Sequence, residues 1–305
     1  MFMCENYRGI SLLNSAYKVF SKILLNRLTP YVEENLGSYQ CGFRTGRSTI
    51  EQMSVIGQLI EKKNSLEDTE RAAQVLERAT SKIGLKINMN KTKIMELLGE
   101  VNEFRYLGTV LSKNNDWARE IGVRIIKAER AAFALNKFLK LKVFSKKTKA
   151  RIYTAIIRLT LTYGCKAWTT TINMERKLRT FENKTWRVIC GPVYDNEKGK
   201  RRRKYNKELQ EEMEIAPAVS FINGQRIQWL GHMKRRSEDD ISRVVLEWKP
   251  TGKRPQGRPR KRWLDVVEED LYRMEVHDWR ILAQDRDKWR DLVMAVKTLK
   301  EYWAI

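Results

Sequence analysis

Histidine and cysteine are scarce in this chain of 305 residues, which has two of the first and four of the second. Cys4, Cys41, Cys165 and Cys190 stand far apart. None has the paired spacing of a zinc site or redox motif, so reduced thiols are expected. His232 and His277 are isolated, and each is read as a surface or packing residue rather than a ligand. No run approaches the roughly 20 consecutive apolar residues of a spanning helix, and Met1 to Arg8 lack an apolar signal core. An intracellular protein, nuclear or cytoplasmic, with no membrane partner is therefore expected. Acidic residues are also short, 37 against 60 Lys and Arg, which leaves a formal charge of +23. With 42% apolar residues the chain is nevertheless able to build a core.

The charge is unevenly placed. Residues 115–190 hold 18 basic against 5 acidic side chains and residues 191–262 hold 19 against 10, so these two segments carry +22 of the total. Residues 1–63 and 64–114 are nearly balanced, and 263–305 is slightly acidic. Such a block attracts phosphate backbones through counterion release, with an acidic membrane surface as the rival partner.

Between Gly84 and Leu111 the pattern is one of strands and tight turns. Leu85 to Asn88 and Lys93 to Leu97 alternate apolar with polar residues, and Phe104 to Leu111 mixes aromatic and branched side chains around Gly108. This predicts a small sheet with one covered face. Upstream, Tyr17, Phe20, Leu24 and Leu28 recur at three- and four-residue steps, as in a helix that Pro30 ends or borders. The loop Tyr39 to Thr49 combines Gly42 and Gly46 with Arg44 and Arg47. Glycines let it turn sharply while both guanidinium groups face one ligand, an arrangement suited to phosphate; the alternative is a solvated turn.

These stretches resemble the reverse transcriptases of non-LTR (LINE-type) retrotransposons. Gly84 to Thr92 match the family's Gly-Leu-x-Ile-Asn-x-x-Lys-Thr segment of the late palm, and Phe104 to Leu111 match its Phe-x-Tyr-Leu-Gly-x-x-Leu hairpin, which grips the primer. Gly42 to Thr49 match the Gly-Phe-Arg-x-Gly-Arg-Ser-Thr loop of its fingers. The resemblance implies nucleotide or template contacts at Arg44, Arg47 and Lys91, and a primer grip at Phe104, Tyr106, Leu107 and Gly108. It also exposes a gap. Where the family has the strand and the Tyr-Ala-Asp-Asp hairpin bearing its catalytic aspartates, this chain passes from Lys62-Lys63 directly to Asn64-Ser65. Ser65 is a fair N-cap for a helix through Ile83, which Gly84 would stop. Two-metal polymerisation needs fixed carboxylates. The family's Mg²⁺ therefore lacks its ligands, and no catalytic residue and no cofactor are expected. The Asp239-Asp240 pair is read as a solvated loop.

From Asp116 the periodicity is helical. One long segment carries Ile121, Val123, Ile125, Ala128, Ala132, Leu135 and Leu139. A second carries Ile152, Tyr153, Ile156, Ile157 and Leu161, and a third covers Met174 to Cys190. Basic residues mark their outer faces, and the arrangement resembles the family's thumb. After Gly191-Pro192 comes the run Lys198 to Lys204, with Arg201, Arg202 and Arg203. It is read as a nuclear import signal, a phosphate-binding turn or a solvated loop. Residues 217–236 predict an amphipathic helix. Pro250 to Trp263, with Arg258, Arg260, Lys261 and Arg262, is too rich in proline and glycine for helix or ladder. This basic arm resembles an AT-hook, except that Gln256 stands where the hook usually has arginine; the same arm occurs in the retrotransposon family. Leu264 to Ile305 predicts two further helices that cover apolar surface.

The architecture so predicted is mainly α with a small antiparallel sheet, an α+β remnant of a right-hand polymerase. Its segments are fingers (1–63), late palm (64–114), helical thumb (115–190), basic linker, helix and arm (191–262), and a C-terminal helical module (263–305). The implied function is that of an inactive RNA-directed DNA polymerase remnant that retains nucleic-acid binding. The alternative is a non-catalytic, sequence-nonspecific DNA- or RNA-binding protein acting through thumb and arm. RNA, DNA or their hybrid duplex, and an intact retrotransposon polymerase, are the implied partners.

Overall fold

The computed structural model describes residues 14–36, 41, 44, 46–62, 103–112, 115–248 and 261–298. The helix and strands expected between Ser65 and Leu97 lie outside these residues, as do Lys91, Arg258 and Arg260. Helix α1, Ser15–Asn35, starts where the Asn14 side chain accepts from the Tyr17 N–H. Pro30 does not end it. An interior proline forfeits one backbone hydrogen bond and crowds the carbonyl four residues back, at a cost of about 3 kcal/mol, yet α1 runs on to Asn35. The apolar positions Tyr17, Phe20, Leu24 and Leu28 are all exposed; none of the described elements covers them. Helix α2, Thr49–Lys62, is instead well buried through Met53, Val55 and Gly57.

Strands β1, Glu103–Tyr106, and β2, Thr109–Ser112, pair antiparallel with Phe104 opposite Leu111. Leu107 and Gly108 form the two-residue turn, both at positive φ (48° and 81°), as the tightest hairpins require. The long helix expected next is interrupted at Leu135 into α3, Ala118–Ala134, and α4, Asn136–Lys140. Helix α5, Lys146–Ile152, runs on through a π-helical stretch, Tyr153–Arg158, to a last turn at Leu159–Leu161. A π turn holds an extra residue and rotates the face. Tyr153, Ile157 and Leu161 are fully buried, while Ile156, expected beside them, is exposed. Helix α6, Ile172–Cys190, lies where the third helix was expected.

Part of the basic run that follows, Lys200–Arg202, is a strand rather than a loop. Strands β3, Val193–Asp195, and β4, Lys200–Arg202, form a second hairpin with Tyr194 opposite Arg201. Helices α7 (Asn206–Met213), α8 (Ala218–Lys234), α9 (Ile241–Glu247), α10 (Trp263–Arg273), α11 (Trp279–Leu282) and α12 (Arg286–Thr298) complete the described chain. The fold is mainly helical with two small antiparallel sheets.

Helix α8 is the pivot, and it is not amphipathic. Twelve of its residues are buried, because α2 and α6 lie against it as well as α10 and α12. Its first turns, Ala218 to Ile222, join a core with Met53, Tyr153, Trp168 and Trp186; Ile227 to Met233 join a second with Trp263, Leu271 and Trp289. Gly224 and Gly231, seven residues apart on one face, let α12 approach: a Cβ at Gly231 would stand 2.1 Å from Trp289 Nε1. Arg226 is fully buried at the centre and donates to Asp270 (2.7 Å), Thr170 (2.7 Å) and Asn223 (2.6 Å). A buried guanidinium needs such a set of acceptors to offset its desolvation.

Candidate nucleic-acid interface

The β1–β2 turn is braced by helix α3. Glu120 is fully buried on α3; it accepts from the Val110 N–H (2.7 Å) and from Arg124 Nε (2.5 Å). Arg124 in turn donates to the Gly108 carbonyl (2.5 Å) and lies 4.4 Å over the Tyr163 ring, whose hydroxyl donates to the Leu107 carbonyl (2.9 Å). Both turn carbonyls are thereby held, which offsets the cost of a non-glycine residue at positive φ. Phe104 and Tyr106 are half-buried against the core, while Leu107 and Gly108 stand exposed at the tip. Burial, with Cys41 nearby, raises the Tyr106 phenol above its usual range.

Arg44 and Arg47 do not converge on one space. Arg44 pairs with Glu33 of α1 at 2.5 Å. Arg47 pairs with Asp240 (2.8 Å) and Glu51 (3.3 Å), and Arg236 closes the knot on Glu51 (2.8 Å) and Asp240 (3.6 Å). Asp240, expected in a solvated loop, is therefore buried; it also caps α9 by accepting from the Ser242 N–H at 3.0 Å. Asp239 beside it stays exposed. Burial alone would push both carboxyls up. The neighbouring His232 ring, the Arg236 charge and hydrogen bonds from Cys41 and Arg47 outweigh it at Glu51, and bonds from Ser242 and Arg47 with the same charge do so at Asp240. Both are held below the ordinary carboxylate range.

The basic surface lies on helices α3 to α6 and the second hairpin. Lys127, Arg130, Lys137, Lys140, Lys142, Lys147, Arg151, Arg176 and Lys177 are exposed and have no carboxylate partner among the described residues. At the C-terminal end of α6, Lys184, Arg187, Arg203, Lys204 and Tyr205 line a cavity of about 710 Å³. Arg201 and Arg203 are exposed without a carboxylate partner among the described residues. Arg202 is structural: it pairs with Glu208 (2.6 Å) and Asp195 (3.5 Å) and covers the Tyr205 ring. Its hydrogen bonds hold the Glu208 carboxyl down at about 2. Lys261 pairs with Glu269 at 2.6 Å, and Arg262 is half-buried at the start of α10.

This chain is similar to a transposon-derived protein of Caenorhabditis elegans. That relative, named as uncharacterized, is 25% identical over 240 residues, which cover 71% of this chain and 85% of the relative. No family model matches the chain, and no solved structure matches it.

Glu120, Arg124 and Tyr163 escaped the sequence reading, although a Glu–Arg pair at i, i+4 directly after a hairpin was a usable signal. Arg236 and Glu51 escaped it as well, since their partners are distant in sequence. Among the described residues no group of three or more His, Cys, Asp or Glu could hold a metal ion. No described helix is long and apolar enough to cross a membrane.

Proposed function

We propose that this chain descends from the reverse transcriptase of a LINE-type retrotransposon, no longer polymerises, and binds nucleic acid through its basic helices and arm. The name of the worm relative supports a transposon origin, and the ordered motifs from Gly42 to Leu111 support the narrower ancestry. The single observation that carries binding is the surplus of exposed, unpaired cations on α3 to α6, where 18 basic residues face 5 acidic ones across residues 115–190. Glu120 and Glu182, two of those five, are buried against Arg124 and Arg158 of the same segment, which leaves the surplus of cations unchanged.

The deciding experiment is a titration of duplex DNA and RNA–DNA hybrid over a salt series. Each neutralised phosphate contributes about 0.9 to the slope of log affinity against log salt on duplex DNA. A slope of several units with little sequence preference is the expected result. Replacing Arg258, Arg260, Lys261 and Arg262 by alanine flattens the slope for all duplexes alike if the arm acts by charge, and weakens A·T-rich duplexes selectively if it works as an AT-hook. No salt dependence would refute the reading. Primer extension on an RNA template with Mg²⁺ or Mn²⁺ is expected to yield no product, and template-dependent incorporation would overturn the inactive assignment.

A further inference from the structure

Four large apolar side chains stand in water where α3, α4 and α5 follow one another. Phe133 on the last turn of α3 is 82% exposed and Val143, in the turn before α5, 88%; Phe138 on α4 and Leu141 beside it are about half exposed. The inward face of this segment is already supplied by Leu135 and Leu139, which pack into the core around Trp186. Phe133 instead ends an outward stripe with Ile126 and Arg130, at i, i+4 and i+7 on α3, all three exposed. Phe138 rests against Phe144, whose ring centroid lies 6.5 Å away at 38°, the spacing of a packed aromatic pair.

The charge around these side chains is of one sign. Residues 130–147 contain six cations and no acid. Lys146 pairs with Glu212 of α7, whereas Arg130, Lys137, Lys140, Lys142 and Lys147 are exposed with no carboxylate partner among the described residues. The acid next in sequence, Glu129, lies 3.6 Å from Lys184 of α6. Exposed cations also run back from the turn along both flanking helices, Arg130 to Lys127 at three residues on α3 and Lys147 to Arg151 at four on α5.

A partner that satisfies this surface carries negative charge and apolar faces together. A nucleic-acid duplex offers mainly the charge, because its bases are stacked inside. A single strand offers both: its unpaired bases present flat faces to phenylalanine while its phosphates meet the lysines. An anionic bilayer combines the same two chemistries, but rows of cations leading away along two helices suit a polymer of phosphates better. We propose that the turn between α3 and α5 holds single-stranded nucleic acid, with bases stacked on Phe133 and Phe138 and phosphates on Lys137, Lys140 and Lys142. The assignment rests on the nucleic-acid reading above and extends it from charge alone to the state of the strand.

The test uses the full chain, a labelled 20-nucleotide DNA strand and the 20-base-pair duplex made from it, at one salt concentration. Phe133→Ala/Phe138→Ala should weaken the single strand about thirtyfold, the lower end for two stacked bases, and leave the duplex within about twofold, which also shows that the variant is folded. Phe133→Leu/Phe138→Leu keeps the apolar surface without the rings and should lose nearly as much. Lys140→Ala/Lys142→Ala should lower the slope of log affinity against log salt on the strand by about 0.7 for each phosphate released. Single-strand affinity unchanged in the alanine variant, or an equal loss on strand and duplex, overturns the proposal while the nucleic-acid reading stands. If neither strand nor duplex binds the parent, both fall. Sedimentation with phosphatidylserine–phosphatidylcholine vesicles tests the rival partner: vesicle binding lost in the alanine variant, with single-strand affinity kept in the leucine variant, assigns the turn to lipid and overturns the proposal.

Discussion

Three glycines in helix interiors, Gly122 of α3 and Gly224 and Gly231 of α8, should respond to alanine in three different ways. Helix propensity alone favours each change by about 0.5–1 kcal/mol. At Gly122 nothing lies within 4 Å of the added Cβ, so the full gain should appear. At Gly224 the methyl meets the Lys297 side chain at 2.5 Å, but a lysine stem can move aside, and the net effect should lie near zero. At Gly231 it meets three atoms of the Trp289 indole at 2.1 to 2.6 Å. That ring is 2% exposed and donates to the Ile227 carbonyl at 3.1 Å, so it has nowhere to go. Overpacking costs about 1–3 kcal/mol and the lost hydrogen bond about 1 kcal/mol, which leaves Gly231→Ala destabilised by about 2 kcal/mol after the helix gain. Urea unfolding followed by far-UV circular dichroism measures all three. The double variant Gly231→Ala/Trp289→Leu should lose less than the sum of its parts if the clash is the cause. A Gly231→Ala protein within about 0.5 kcal/mol of its parent would refute the packing argument.

Asp270→Ala strands the buried Arg226 guanidinium and should cost about 3–5 kcal/mol in the same assay; a loss below about 1 kcal/mol would mean that Thr170 and Asn223 suffice. Glu61 should make stability fall between about pH 4.5 and 7. Its carboxyl is raised from 4.5 to about 7, so the folded state holds a proton there that the unfolded state has released. The contribution, at most about 3 kcal/mol, is present below the unfolded value and gone above the folded one. Lys62, lowered by burial to about 8, stays charged throughout that window, and Glu61→Gln should flatten the profile. Arg124→Ala should free the β1–β2 turn, read as faster amide exchange at residues 103–112 with α6 still protected; unchanged exchange would show that the Tyr163 hydroxyl holds the turn alone.

The parts legible in the sequence were those written locally. The spacing of Leu178, Phe181, Trp186 and Ile189 gave α6, and the aromatic run around Gly108 gave the hairpin. The π turn at Tyr153 was hidden because Ile156 and Ile157 fit a regular helix equally well. The β3–β4 hairpin was hidden because a strand made of Lys200, Arg201 and Arg202 has no apolar alternation; Arg202 is held instead by Asp195 across the hairpin and by Glu208 of α7. The burial of α8 was masked by Asn223, Arg226 and Gln225, polar residues that ordinarily mark a solvent face. On the candidate interface, Arg201 and Arg203 are exposed. The use of Arg47 as an internal clamp depended on Asp240, 193 residues away, which no local pattern reports.

That distance also sets a clock on biosynthesis. Glu51, Ser54, Glu61 and Lys62 on α2 find their partners at Arg236, Trp229, Trp263 and Val245, the last three 175, 202 and 183 residues downstream. A ribosome adding about 5–20 residues per second takes roughly 10–40 seconds to make such a length. For that interval α2 emerges with Glu61 and Lys62 lacking their backbone partners and with Met53 and Val55 uncovered. The N-terminal segment must therefore wait, open to chaperones and proteases, until α8 and α9 have left the exit tunnel. Nascent chains that stop before residue 240 never close the knot.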